Sequence, residues 1–163
     1  MFHMNSAEPK WVVVTWRLPS GSSTPRVTTW RRLRRMGAVL LTPGAAIVPF
    51  SDDLLEQCEW LAQRIGESGG EAWVLPVTEL SEREEATIRE RERATREHEY
   101  GTLRTQAEGL RGNKRRRTAV PSRRKLIALE RGYSSVLARD HFKASGRGPA
   151  RRAIEEARRL RER

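Results

Sequence analysis

The chain has 163 residues, of which 37% are hydrophobic and 33% are charged, and its formal net charge is +11. This length fits one domain, or one domain with a helical appendage. No apolar run approaches the roughly 20 residues that cross a bilayer, and the first ten residues lack an apolar signal-peptide core. The single cysteine, Cys58, excludes an internal disulfide framework and fits a reducing compartment. We therefore expect a cytoplasmic protein without membrane contact.

The positive charge is concentrated in the last third of the chain. Residues 1–80 contain eight Lys/Arg and eight Asp/Glu, and residues 81–110 contain six basic and eight acidic residues. Residues 111–163 contain eighteen basic and five acidic residues, a net charge of +13, while all five tryptophans lie before residue 80. This distribution predicts a packed domain over residues 1–80 and an arginine-rich helical region over residues 81–163.

The first 80 residues alternate between strand and helix patterns. The first strand, WVVVTWRL, is apolar without alternation, as in a strand that lies inside a sheet. Thr24 and Pro25 open the first helix, whose predicted apolar face contains Val27, Trp30 and Leu33. Pro76 predicts that the fourth strand lies at an edge or ends there. The predicted strands are residues 11–18, 38–42, 45–50 and 72–77, and the predicted helices are residues 26–36 and a segment capped by Ser51 that reaches residue 65.

This order, β-α-β-β-α-β, predicts an α+β fold of the ferredoxin-like type, in which both helices cover one face of a four-stranded sheet. Beyond it, Ser81 and Glu84 form a capping box that begins a very polar helix over residues 82–110. Apolar periodicity then predicts a helix over residues 126–142, packed on the first as a helical hairpin, and a C-terminal helix over residues 150–160. Residues 111–125 are predicted to form an exposed basic loop between the two hairpin helices.

The sequence contains no motif that predicts catalysis. Its three histidines, His3, His98 and His141, are scattered and lack partners at metal-ligand spacing. Asp52 and Asp53 are adjacent, but they follow Ser51, where acidic residues favour the start of a helix. No phosphate-binding glycine loop or nucleophile elbow is present. We therefore expect no enzymatic activity, no catalytic residues, no metal site and no cofactor.

Two clusters of basic residues are candidates for phosphate contact, because the arginine fork pairs well with phosphate oxygens. The first is a ridge on the first helix, and the second is the run over residues 111–125, with eight basic and no acidic residues. A solvated helix face is the alternative for the ridge, and a disordered solubilising loop is the alternative for the run. The predicted contacts are Arg26, Arg31, Arg32, Arg34, Arg35, Lys114, Arg115, Arg116, Arg117, Arg123, Arg124 and Lys125.

Several short blocks, in order along the chain, resemble the N-terminal domain of the bacterial chromate-resistance regulator family ChrB. The blocks are WVVVTWRLP (11–19), SSTPR (22–26), residues 30–33, MGAV (36–39), GAAIVP (44–49) and LARDHFKASGRG (137–148). The resemblance implies a ferredoxin-like domain with long helices that acts in transcriptional control of chromate resistance. Full-length members of that family continue into a second domain, so the resemblance implies a regulator more than a chromate sensor.

The first domain also resembles the middle domain of PaaX-type repressors and, more distantly, small CRISPR-associated ferredoxin-like endonucleases. Those nucleases use an acidic residue at the end of the first strand, where this chain has Thr15, Trp16 and Arg17, so their activity is not carried over. The resulting hypothesis is a DNA-binding regulator whose surface joins the ridge to the basic run, with double-stranded DNA as partner. A homodimer and a chromate or other oxyanion effector are further expectations. The alternative is a protein-interaction or oxyanion-sensing module without direct DNA binding.

Overall fold

A computed structural model describes residues 7–21, 23–110 and 120–162. The chain divides into two compact units, Met1–Ile88 and Arg89–Arg163, with the division inside a long helix. The architecture is α+β, and the described residues form four strands and five helices. In chain order these are β1 (Trp11–Arg17), α1 (Ser23–Met36), β2 (Val39–Thr42), β3 (Ala45–Pro49), α2 (Asp52–Glu67), β4 (Glu71–Val77), α3 (Glu82–Leu110), α4 (Arg123–Leu137) and α5 (Arg147–Glu162).

The four strands form one antiparallel sheet in the order β2-β3-β1-β4. Strand β1 lies inside the sheet, where Val13 pairs with Ile47 of β3 and with Leu75 of β4, as its unbroken apolar sequence predicts. Pro76 lies on the edge strand β4 opposite Val12, and the predicted edge position is confirmed. An edge strand tolerates proline because a missing N–H there costs no ladder hydrogen bond on the open side.

One face of the sheet packs with residues of α1 and α2 to form the core of the first unit. Alternate residues of β1 and β3 contribute to it, because successive side chains of a strand point to opposite faces. The buried members of this core are Val12, Val14, Leu33, Met36, Ala46, Val48, Cys58, Leu61 and Ile65. Burial raises the pKa of the Cys58 thiol to about 11, so this cysteine is an unreactive core residue.

Two local features predicted from sequence fix the connections around this core. The Ser51 hydroxyl accepts a hydrogen bond from the Leu54 backbone N–H at 3.1 Å, which caps α2. Gly44, in the turn between β2 and β3, lies so close to β1 that a Cβ atom would be 2.7 Å from the Trp16 carbonyl oxygen. Only glycine fits that approach without a shift of the backbone.

The predicted apolar face of α1 is confirmed for Leu33 and wrong for Val27 and Trp30. The buried side chains are Thr29, Leu33 and Met36, whereas Val27 and Trp30 are exposed. The predicted residues and the buried residues both recur at helical spacing. This helix has too few apolar residues to show from sequence which of the two faces is buried. Trp30 consequently lies outside the core, on the same side of the helix as Arg34 four residues later.

The second unit is a helical hairpin with a further helix packed against it. Gly132 of α4 lies against Leu103 of α3, and Arg139 lies against Glu99, so the two helices run antiparallel as predicted. Helix α4 starts three residues earlier than predicted and ends at Leu137 instead of residue 142. The shared core consists of Tyr100, Leu103, Ala107, Leu126, Leu129, Val136, Ala144, Ala150, Ala153, Ile154 and Ala157.

Candidate nucleic-acid interface

Helix α1 carries a ridge of exposed arginines. Arg26, Arg31, Arg34 and Arg35 are exposed and Arg32 is half-buried. The sequence of α1 contains no acidic residue that could neutralise them. Arg34 and Arg35 lie in the last turn, where positive charge complements the helix dipole. The structure therefore places all five predicted residues of this helix on one element and leaves four of them open to solvent.

Arg34 also contacts an aromatic ring. Its guanidinium carbon lies 5.3 Å from the centroid of the Trp30 ring, within the range of a cation–π interaction. Trp30 is 49% exposed, so its ring is accessible beside the arginines. The ridge thus combines cations with an accessible flat ring, the two chemical elements that proteins use to hold the phosphates and bases of nucleic acids.

A second group of cations lies at one end of the helical unit. Arg123, Arg124 and Lys125 form the first turn of α4, so their predicted position in a loop is wrong. The helix begins directly after Ser122, which takes the N-cap position, and arginine and lysine are good helix formers, so the charge run does not prevent a helix. This first turn contains no acidic residue, and the Ser122 side chain makes no capping hydrogen bond.

The C-terminal end of α5 meets the start of α4. The Arg161 guanidinium donates a hydrogen bond to the Pro121 carbonyl at 3.0 Å, and Arg159 and Arg161 lie in the last turn of α5. Sequence reasoning left these two arginines out of the candidate contacts. The signal that could have found them is the apolar stripe of Ala153, Ile154 and Ala157, which turns the remaining positions outward.

The central part of the predicted basic run contains four of the predicted phosphate contacts. Lys114, Arg115, Arg116 and Arg117 lie outside the described residues. The predicted surface that joins the ridge of α1 to residues 111–125 depends on this segment. It therefore stays a prediction, as do the individual phosphate contacts.

Two further arginines, the buried Arg96 and the half-buried Arg139, are unsuitable for phosphate because they belong to an ion network of the helical unit. Arg96 lies 3.6 Å from Glu92 and 3.2 Å from Glu99, measured from guanidinium nitrogen to carboxylate oxygen. Arg139 lies 2.8 Å from the other oxygen of Glu99. Both cations thus already pair with carboxylates, and an oxyanion such as chromate would meet repulsion from them.

The same network also holds the segment around residue 140 against α3. The Tyr100 hydroxyl donates to Asp140 at 3.0 Å, and Asp140 also accepts the Ala144 backbone N–H at 3.0 Å. The His141 backbone N–H lies 3.4 Å from Glu92, whose pKa burial raises to about 6. Sequence reasoning missed this network. The only local signal is the spacing of Glu92, Arg96 and Glu99, at i, i+4 and i+7 along α3.

Neither a metal centre nor a membrane span is found in the part of the chain that the structure describes. No three His, Cys, Asp or Glu side chains there are grouped closely enough to hold a metal ion. Among the same residues, no helix combines the length and apolar character needed to cross a bilayer.

Fold and site together define the class: an antiparallel α+β sheet unit joined through a long helix to an arginine-rich helical unit. Residues 26–113 match the family described as Protein ChrB, N-terminal. This match covers more than half of the chain, and the chain belongs to that family. The resemblance drawn from the short sequence blocks is thereby confirmed, although the matched range leaves out the first and last blocks and all of the second block except Arg26.

A curated relative supports the same assignment. Protein ChrB of Cupriavidus metallidurans is 31% identical over 85 residues, which are 52% of this chain and 26% of that protein. The match therefore spans about a quarter of the relative's length. No solved structure shows significant similarity to this chain.

Proposed function

We propose that this chain is a DNA-binding regulator module that acts in chromate resistance and holds duplex DNA through its exposed arginines. The observation that carries the proposal is the ridge of α1, where four exposed guanidinium groups stand on a helix without acidic residues. Membership of the ChrB N-terminal family supports a regulatory role linked to chromate. The proposal includes a cytoplasmic location and a binding role without a catalytic step.

The proposal also assigns the first unit to the ferredoxin-like class. The β-α-β-β-α-β order of elements and the antiparallel pairing of all neighbouring strands support this assignment. A packed sheet beneath α1 would hold the ridge rigid, because Leu33 and Met36 anchor that helix in the core. Rigid presentation lowers the entropy lost when guanidinium groups are fixed against phosphates.

Phosphate contact makes a quantitative prediction about salt. Each neutralised phosphate releases condensed counterions, and the slope of log K against log salt changes by about 0.9 per contact on duplex DNA. If Arg31 and Arg35 each meet one phosphate, their joint replacement by alanine lowers the magnitude of the slope by about 1.8. Affinity would fall by a similar factor for unrelated sequences, because phosphate contacts carry no sequence information.

The test is fluorescence anisotropy with a labelled duplex, over a series of salt concentrations. The matched control is Arg104→Ala, since that exposed guanidinium already pairs with Glu108 at 2.8 Å. We expect a reduced slope for the ridge variant and a wild-type slope for the control. The combined replacement of Arg115, Arg116 and Arg117 by alanine tests the basic run in the same way. Absence of a complex at low salt, or a wild-type slope in both arginine variants, contradicts the proposal.

A second candidate, a protein-interaction module, is favoured by the outer side of strand β4. Trp73 is 68% exposed there, and Leu75 on the same face is exposed as well. An open edge strand with apolar side chains is a common place for another chain to bind. We propose a second copy of this chain as the partner. Sedimentation equilibrium tests it: wild type should dimerise and Trp73→Ser should be monomeric, and a monomeric wild type excludes the homodimer.

A further inference from the structure

A pocket of about 390 Å³ lies beside the arginine ridge, between α1 and the helix-facing side of β1 and β2. Helix α1 contributes two buried side chains, Thr29 and Leu33, and two exposed ones, Arg26 and Trp30. The lining residues are Trp16, Leu18, Arg26, Thr29, Trp30, Leu33, Leu40 and Pro43, all within the first unit. None of these side chains is acidic.

We propose that this pocket takes one unstacked nucleobase of a bound nucleic acid strand. The inference rests on the proposed function and deepens it, because it assigns a base contact where the ridge supplies only phosphate contacts. Two indole rings, of Trp16 and Trp30, line the pocket and provide flat apolar surface. Aromatic side chains bind bases of any sequence by stacking, because every base presents a π-face.

Charge around the pocket selects a nucleotide over an apolar peptide side chain. Arg26 lines the pocket and is exposed, and the guanidinium of Arg34 lies against the Trp30 ring. A base that enters brings its own phosphates to the opening, where these cations would meet them. A neutral apolar side chain would gain no comparable interaction from the arginines.

The volume of the pocket limits the size of the ligand. The volume lies near the lower end of the range of about 300–1,000 Å³ that is typical of small-molecule sites. It suits a single nucleotide and is too small for a stacked base pair. The base must therefore come from a single strand, or from a position where the duplex is already unpaired, since unstacking a paired base is costly.

The position of Trp30 is the feature that the packing of the first unit does not explain. The ring is 49% exposed although the buried face of α1 is one residue away, at Thr29. A single exposed apolar side chain is common, but Trp30 shares this pocket with Trp16, Leu18 and Leu40, and contiguous apolar surface of this kind marks binding sites. Trp60, on α2 of the same unit, is 56% exposed but lines no part of this pocket. It provides a matched control for the loss of an exposed indole.

The experiment compares the affinity of the protein for an intact duplex, for the same duplex with one unpaired base, and for a single strand, measured by anisotropy. We expect the wild type to prefer the probes with an unpaired base, and Trp30→Ala to reduce that preference by about 5- to 150-fold. Trp30→Phe retains a ring and should retain most of the preference, and Trp60→Ala should retain all of it. Thermal unfolding of each variant checks that its fold is intact.

The outcomes separate the base pocket from the proposed function. Binding to the intact duplex without any preference for unpaired bases overturns the pocket and leaves duplex binding standing. Equal loss of preference in Trp30→Ala and Trp60→Ala also overturns it. Binding only to probes with an unpaired base supports the pocket and contradicts duplex binding. Absence of binding to every probe overturns both.

Discussion

Arg96 provides the sharpest test of how the helical unit is held together. Its side chain is only 3% exposed and lies between two carboxylates, 3.6 Å from Glu92 and 3.2 Å from Glu99. In Arg96→Met the volume is nearly kept, but Glu92 stays buried without its main cation. Breaking a buried ion pair from one side costs about 3–5 kcal/mol, because the remaining charge is uncompensated. We expect the free energy of unfolding to fall by about that amount at pH 7.

The assay is urea denaturation followed by circular dichroism, with Arg104→Met as the control on the same helix. Arg104 pairs with Glu108 at the same spacing of four residues, but both side chains are about half exposed. Surface pairs of this kind contribute less than about 1 kcal/mol. The loss of unfolding free energy in Arg96→Met should be smaller at pH 5, since Glu92 then takes up a proton. Equal losses in the two variants, or a deficit that grows on acidification, would refute the reasoning.

Two further perturbations test the ion network and the sheet. Burial raises the pKa of Glu92 from 4.5 to about 6, so the folded state holds this proton more tightly than the unfolded state. The associated stability, about 2 kcal/mol, is complete below pH 4.5 and is lost as the pH rises through 6. The pH profile of Glu92→Gln should lack this loss, and parallel profiles for variant and wild type would contradict it. Gly44→Ala should lower the free energy of unfolding by about 1–3 kcal/mol, because its Cβ would lie 2.7 Å from the Trp16 carbonyl oxygen. Gly66→Ala, where nothing lies within 4 Å, should be at least as stable as wild type, and equal destabilisation of both would exclude this contact as the cause.

The sequence predicted the starts of helices well where a single side chain caps the helix by a hydrogen bond. Ser51 caps α2 as expected. The capping box at the start of α3 is also confirmed, since the Glu84 N–H donates to the Ser81 hydroxyl at 3.2 Å and the Ser81 N–H donates to the Glu84 carboxylate at 3.3 Å. Such contacts span three residues and need no tertiary information, which is why composition and spacing suffice to find them.

Features that depend on distant parts of the chain could not be predicted. The burial of Arg96 depends on Arg139 and on the segment around residue 140, which lie more than 40 residues away along the chain. Which face of α1 enters the core depends on how the helix is rotated about its axis against the sheet. Hydrophobicity favours the face that contains Trp30, but the buried face is the one that contains Thr29. Hydrophobicity indicates which side chains favour burial, but the surface against which an element packs determines which of them are buried.

The count of arginines overstates the charge that a nucleic acid could meet. In the helical unit, Arg96 lies between two carboxylates, Arg139 pairs with one of them, and Arg161 donates a hydrogen bond to the Pro121 carbonyl. A further group pairs with a glutamate four residues later, which neutralises it on the helix surface: Arg104, Arg151 and Arg158. The first turn of α4 has no such acidic neighbour, and neither has α1. The described cations of the α1 ridge and of the first turn of α4 stand on helix segments that contain no acidic residue, and this is why the candidate phosphate interface is placed there.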